Sequence, residues 1–67
     1  MKLVIVNETG HTDMTVPQVE VIDQINYHTT DWIFVDGDMV IRESISDVSW
    51  ETVDEVRLVP AVVGGRF

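Results

Sequence analysis

The clearest structural signal in the chain is the segment DWIFVDGDMVI, residues 31–41. An apolar run at residues 32–35 leads into Asp36-Gly37, and a second, shorter apolar run follows. Aspartate followed by glycine between two apolar runs is a strong signal of a β-hairpin, because both residues tolerate the positive φ of a tight turn. We therefore expect two antiparallel strands joined at Asp36-Gly37.

The N-terminal part of the chain, before this hairpin, has the sequence pattern of another hairpin. MKLVIV, residues 1–6, is rich in β-branched residues, which favour strands. Gly10 in the following NETGHT supplies a turn. We expect a hairpin from Met1 to about Thr15.

Between the two hairpins we expect a short helix from about Pro17 to Tyr27. Thr15 and Gln18 stand at the spacing of a capping box, and Pro17 falls in the first turn, where proline is tolerated. An apolar stripe at helical spacing comes next, formed by Val21, Ile22 and Ile25. The β-branched content leaves an extended segment around residues 19–21 as the alternative.

The last third of the chain predicts an irregular segment and a final strand. Residues 44–51 are polar, and we expect Ile45 and Val48 to attach this segment to the core and Trp50 to fill the core. VDEVRLVPAVV, residues 53–63, predicts a strand that ends at Pro60, since proline cannot donate to a sheet ladder. The expected order is β-β-α-β-β-β.

Composition limits the class of protein. A chain of 67 residues makes one domain, and without cysteine it has neither a disulfide nor a zinc site of thiolates. The basic residues are scattered, so we expect no nucleic-acid binding; they are Lys2, Arg42, Arg57 and Arg66. No apolar run reaches the roughly 18 residues of a membrane span. We expect a soluble, cytoplasmic protein that uses no metal and no cofactor.

Acidic residues are concentrated in one part of the chain. The net charge is −8, and Arg42 is the only basic residue between Asp31 and Glu55. A solvated acidic surface that maintains solubility explains this segment. Electrostatic steering toward a partner with a basic groove is the alternative.

The element order, together with the diglycine near the end, resembles the ubiquitin-like β-grasp family. The resemblance rests on MKLVIVNETGHT at the start, Ile33-Phe34, SISDV at 44–48, Val59 and Gly64-Gly65. It implies an α+β fold of the ubiquitin-like β-grasp type, with a mixed sheet of four to five strands packed on one short helix. It also implies a single domain over residues 1–63 and a flexible C-terminal tail over 64–67. The shortened middle and VPAVVGG are similar to the bacterial sulfur carriers of thiamine and molybdopterin synthesis.

The resemblance implies that the chain is a substrate rather than an enzyme. In this family the carboxylate of the last glycine, here Gly65, is adenylated by an activating enzyme, and Gly64-Gly65 gives a thin peptide that can enter a narrow channel. Arg66 and Phe67 would have to be removed first by a protease. Three functions follow: a protein modifier conjugated to target proteins, a sulfur carrier that forms a thiocarboxylate, or a non-covalent β-grasp binding or assembly module such as a phage protein.

The resemblance also implies a partner-binding surface formed by Ile33, Arg57 and Val59. Strict alternation along the two strands would turn these three side chains outward. The inward positions would then be Trp32, Phe34, Val56 and Leu58.

Overall fold

The computed structural model describes residues 1–7 and 9–60, which form an α+β fold. The regular elements are β1 at Lys2–Asn7, β2 at Gly10–Thr15, α1 at Gln18–Tyr27, β3 at Asp31–Val35, β4 at Asp38–Val40 and β5 at Glu55–Pro60. Two short 3₁₀ helices, Arg42–Asp47 and Trp50–Thr52, connect β4 to β5. The order predicted from the sequence is confirmed, and the polar segment that was expected to be irregular contains the two 3₁₀ helices.

The strands form one mixed sheet in the order β2-β1-β5-β3-β4. The central pair, β1 and β5, is parallel, whereas every other neighbouring pair is antiparallel. The expectation of a mixed sheet with one short helix is confirmed. The expected domain limit after residue 63 lies outside the described residues.

The hairpin at Asp36-Gly37 is confirmed, and it is also attached to β5. Asp36 has φ 51° and Gly37 has φ 90°, the pair of positive values that a two-residue hairpin turn requires. The carboxylate of Asp36 accepts hydrogen bonds from the backbone N–H groups of Asp54 and Glu55, with N···O distances of 3.1 and 3.0 Å. The turn therefore fixes the point at which β5 begins.

The first hairpin is confirmed, but the predicted capping box at the start of the helix is wrong. Thr15 pairs with Lys2 in the β1–β2 ladder, so its side chain is not at the helix end. Pro17 is the N-cap residue, with φ −74° and no side-chain hydrogen bond. Its carbonyl accepts from the N–H of Glu20 at 3.0 Å. The helix itself is confirmed, since α1 begins at Gln18, one residue after the predicted start, and ends at Tyr27.

The C-terminal end of α1 is capped by a residue far away in the sequence. Arg42 donates from Nη1 to the carbonyl oxygen of Ile25 at 2.6 Å and from Nη2 to the carbonyl oxygen of His28. The last turn of α1 itself has no basic residue. A cation near the last carbonyls stabilises a helix end, so the segment after β4 provides what the helix lacks.

The core lies between α1 and one face of the sheet. It consists of Leu3, Val21, Ile25, Ile33, Val35, Trp50, Val53, Val56 and Leu58. Ile45 and Val48 pack against it, and Trp50 belongs to it, as the sequence predicted. None of the helices in residues 1–7 and 9–60 is both long and apolar enough to cross a membrane.

Candidate functional site

The helix covers one face of the sheet and leaves the other face open. On the open face, Trp32 of β3 pairs with Val59 of β5, and Phe34 pairs with Arg57. Met39 of β4 continues this row, because it pairs with Phe34 on the other side. Trp32 is 48% exposed and Met39 is 54% exposed. Large apolar side chains are thus presented to solvent side by side, and such a contiguous group marks an interaction surface more often than isolated ones do.

The prediction that Ile33 belongs to the surface is wrong. Ile33 is 1% exposed and lies in the core opposite Leu58, while Trp32 and Phe34 point to the open face. Since residues 32–35 are all apolar, alternation alone permits either facing, and a shift of one residue exchanges the two faces. The branched aliphatic Ile33 and Val35 pack beneath the helix, and the wider aromatic rings occupy the open face.

The other two residues of the predicted surface lie on the open face. Arg57 is exposed and Val59 is half-buried. Arg57 donates from Nη2 to a carboxylate oxygen of Glu55 at 3.0 Å on the same strand. Arg57 and Val59 are therefore brought together with Phe34 and Trp32, their partners across the strand pair, rather than with Ile33.

A groove of about 1000 Å³ runs over this part of the sheet. We call it the sheet groove, and it is lined by Trp32, Phe34, Asp36, Gly37, Asp54, Glu55, Arg57 and Val59. Its two ends differ in character. Trp32 and Val59 make one end apolar, whereas Asp36 and Asp54 make the other end acidic. The groove therefore offers aromatic and aliphatic surface that can contact apolar groups, and carboxylates that can contact basic groups.

The basic side chains of the described residues already have acidic or carbonyl partners. The ammonium of Lys2 lies 4.0 Å from a carboxylate oxygen of Asp13, and Arg57 is paired with Glu55. Arg42 is held by the carbonyls at the end of the helix. The net charge of −8 therefore leaves a surplus of carboxylates on the surface, including the exposed Asp54 at the acidic end of the sheet groove.

A second, smaller cleft of about 360 Å³ lies between α1 and the 3₁₀ segment. Its walls include Ile22, Ile45 and Trp50, which pack in or against the core. Arg42 at its rim is occupied by the helix carbonyls. These residues have structural roles that account for their presence.

The titratable side chains do not gather into a reactive cluster within residues 1–7 and 9–60. His11 lies 3.6 Å from Asp13 on β2, and His28 lies 3.5 Å from Asp31 beyond the end of the helix. In this part of the chain no group of three or more His, Cys, Asp or Glu residues could hold a metal ion.

The residues predicted for activation and processing lie outside the described residues. These are Gly64, Gly65, Arg66 and Phe67. Pro60 is the last described residue before them, and it pairs with Asp31 at the end of β5.

Trp32, Phe34 and Met39 are the residues of the open face that sequence reasoning missed. One signal could have found the first two. The core is built mainly from branched aliphatic residues, so Ile33 and Val35 match its composition better than two aromatic rings do. Met39 then follows from pairing across the Asp36-Gly37 turn.

Comparisons with known proteins do not assign this chain to a family. No protein-family model, no curated protein and no solved structure matches it. The resemblance to the ubiquitin-like family therefore rests on the sequence patterns alone, and the functions that it implies are proposals.

Proposed function

We propose that this chain is a ubiquitin-like β-grasp protein whose residue Gly65 is activated by an adenylating enzyme and conjugated to target proteins. The observation that supports the proposal best is the position of β5. This strand lies in the middle of the sheet, beside β1 and β3, and ends at Pro60, five residues before Gly65. The strand order and the placement of α1 between β2 and β3 are compatible with the β-grasp layout.

The length of chain after β5 suits delivery of a carboxylate to another protein. A fully extended chain gains about 3.3–3.6 Å per residue, so the five residues that follow Pro60, 61–65, can span roughly 17 Å. Glycine has no Cβ, so Gly64-Gly65 can pass through a channel whose walls would exclude a side chain. A partner enzyme could then bring the carboxylate to its nucleotide while the folded body stays outside.

The proposed reaction needs four steps, and partner enzymes catalyse each of them. A protease hydrolyses the peptide bond between Gly65 and Arg66, which frees the carboxylate of Gly65. A carboxylate oxygen attacks the α-phosphorus of ATP, forming an acyl adenylate and releasing pyrophosphate. A thiol of the conjugation machinery displaces AMP, and a lysine amine of the target displaces that thiol to form an isopeptide bond.

Two other functions have specific features in their favour. The apolar run that leads into the diglycine, in VPAVVGG at 59–65, favours a sulfur carrier, in which hydrogen sulfide displaces AMP from the acyl adenylate and leaves a thiocarboxylate. The open face of the sheet favours a non-covalent binding or assembly module, because it presents Trp32 and Met39 to solvent whatever happens at the tail.

Intact-mass spectrometry of the protein isolated from its native host tests the proposal. We expect loss of Arg66 and Phe67, together with larger species in which Gly65 is joined to a lysine of another protein. Loss of the two residues with one oxygen replaced by sulfur would instead identify a sulfur carrier. The full-length mass alone, matching a control made by cell-free translation, would overturn both covalent functions and leave the binding module.

A further inference from the structure

We infer that the sheet groove binds an extended segment of a partner protein that carries apolar side chains next to basic ones. This inference goes beyond the proposed activation of Gly65, because it depends only on residues of β3 and β5, on the Asp36-Gly37 turn and on Asp54 just before β5. It would hold for a modifier, a sulfur carrier or a binding module.

The apolar end of the groove has the character of a docking surface. Trp32 is about half exposed, and the half-buried Val59 lies beside it on β5. Phe34 is half-buried two residues further along β3, and its partner Met39 extends the apolar face onto β4, just outside the groove. The same face continues onto β1, where Val4 is 2% exposed although it is outside the core cluster. The open face thus has a closely packed apolar region of its own, and an aromatic side chain beside it provides a large contact area with little conformational entropy to lose.

The acidic end lies at a fixed distance from the apolar end. Asp36 is four residues after Trp32, and at about 3.3 Å per residue the two lie roughly 13 Å apart along the chain. The Asp36 carboxylate is held by the backbone N–H groups of Asp54 and Glu55. The side chain of Asp54 is exposed beside it. Charge complementarity therefore calls for a cation at this end of the groove.

The described part of this chain does not readily provide that cation. Arg57 is the basic residue of the groove, and its guanidinium lies 3.0 Å from the Glu55 carboxylate. Lys2 and Arg42 are held elsewhere, by Asp13 and by the carbonyls of the helix end. A second copy of the chain is a poor occupant, because two molecules of net charge −8 would bring like charges together. A partner segment that carries apolar and basic side chains fits both ends of the groove.

The spacing of the groove defines the segment that fits it. In an extended segment alternate side chains share one face and lie about 6.6 Å apart. One apolar side chain would cover the neighbouring Trp32 and Val59, and the next, two positions later, would cover Phe34. A lysine or arginine four positions after the first would reach Asp36 and Asp54. An arginine can in addition stack on an aromatic ring such as that of Phe34.

The test uses the ¹⁵N-labelled full chain and a synthetic peptide, acetyl-Ile-Ser-Leu-Ser-Lys-Ser-Arg-amide. One control peptide has glutamate in place of lysine and arginine, and another has serine in place of isoleucine and leucine. The two tryptophans give separate indole N–H signals. Trp32 lies in the groove, and Trp50 lies in the core on the other side of the sheet, so Trp50 is the internal reference.

We expect the first peptide to shift the Trp32 indole and the backbone signals of Phe34, Arg57 and Val59, but not the Trp50 indole. Both control peptides should bind at least about fivefold more weakly, because each of them loses two ion pairs or two apolar contacts. Asp54→Asn should weaken binding, whereas Asp23→Asn, an exposed acid on the helix, should not. Trp32→Ser should weaken it, whereas Tyr27→Ser, an exposed aromatic on the helix, should not.

Three results would overturn the inference. The first is equal binding of the glutamate peptide, which would mean that charge complementarity has no part. The second is an unshifted Trp32 indole at saturating peptide. The third is a Trp32 signal that depends on protein concentration without peptide, which would assign the groove to contact between copies of this chain.

Discussion

The guanidinium of Arg42 donates a hydrogen bond of 2.6 Å to the carbonyl oxygen of Ile25. It donates another to the carbonyl of His28, so one side chain from beyond β4 satisfies two carbonyls at the end of α1. The last turn of the helix contains no basic residue. Because charged donors make stronger hydrogen bonds than neutral ones, this contact connects the helix to the far end of the sheet.

The first prediction concerns this cap. Arg42→Met keeps most of the aliphatic stem but removes both donors, and we expect it to lower the free energy of unfolding by about 1–3 kcal/mol. Arg57→Met is the matched control, since it removes only an exposed ion pair, which is worth about 0–1 kcal/mol. Urea unfolding of both variants provides the measurement. Equal losses would mean that the helix cap contributes no more than a surface ion pair.

The second prediction tests which face of β3 is buried. Ile33→Ala removes atoms from the core and should cost about 2–5 kcal/mol, which could unfold so small a domain. Ile33→Val is the milder variant and should cost about 0.5–1.5 kcal/mol. Trp32→Ala should cost about 1 kcal/mol, because half of that side chain is already exposed. A Trp32→Ala loss that exceeds the Ile33→Ala loss would contradict the facing of β3 and favour the opposite one, in which Trp32 and Phe34 point into the core.

The order of the elements along the chain could be predicted from the sequence, but the facing of β3 could not. The hairpin at Asp36-Gly37 can be recognised from residue types alone, because aspartate and glycine between two apolar runs favour a tight turn. Residues 32–35 are apolar at every position, and periodicity gives no answer where both faces read as apolar. The assignment depends on how the side chains fill the space beneath α1, and that space is formed by residues distant in the chain.

Contacts between distant residues explain the other differences. Arg42 stands 17 residues after Ile25, and Asp36 stands 18 residues before Asp54, so neither contact follows from local spacing. Thr15 and Gln18 do have the local spacing of a capping box, but pairing of Thr15 with Lys2 in the sheet overrides it. Local propensity is a weak guide wherever a tertiary contact competes for the same residue.

The third prediction concerns the turn that fixes the start of β5. Asp36→Ala loses the acceptor for the N–H groups of Asp54 and Glu55 and places alanine at φ 51°, so we expect a loss of about 1–3 kcal/mol. Asp36→Asn keeps an acceptor oxygen and tolerates positive φ, so its loss should be less than about 1 kcal/mol. Thermal unfolding compares the two with Asp38→Ala, an exposed position expected to change stability by at most about 0.5 kcal/mol. An Asp36→Asn loss as large as that of Asp36→Ala would show that the charge, rather than the acceptor geometry, is required.

The last prediction separates the chemistry of the tail from the stability of the body with two identical substitutions. Gly65→Ala adds a methyl group next to the carboxylate that is to be activated, so we expect it to abolish conjugation while the free energy of unfolding stays unchanged. Gly37→Ala adds the same methyl group at φ 90°, where it meets no neighbouring atom but strains the backbone, and should cost about 1–2 kcal/mol. Gly37→Ala protein that is folded should still be conjugated.

Intact-mass spectrometry in the native host measures conjugation, and urea unfolding of the purified variants measures stability independently. Conjugation that persists undiminished in Gly65→Ala would contradict the proposal, because the proposal requires a channel too narrow to admit a side chain at this residue.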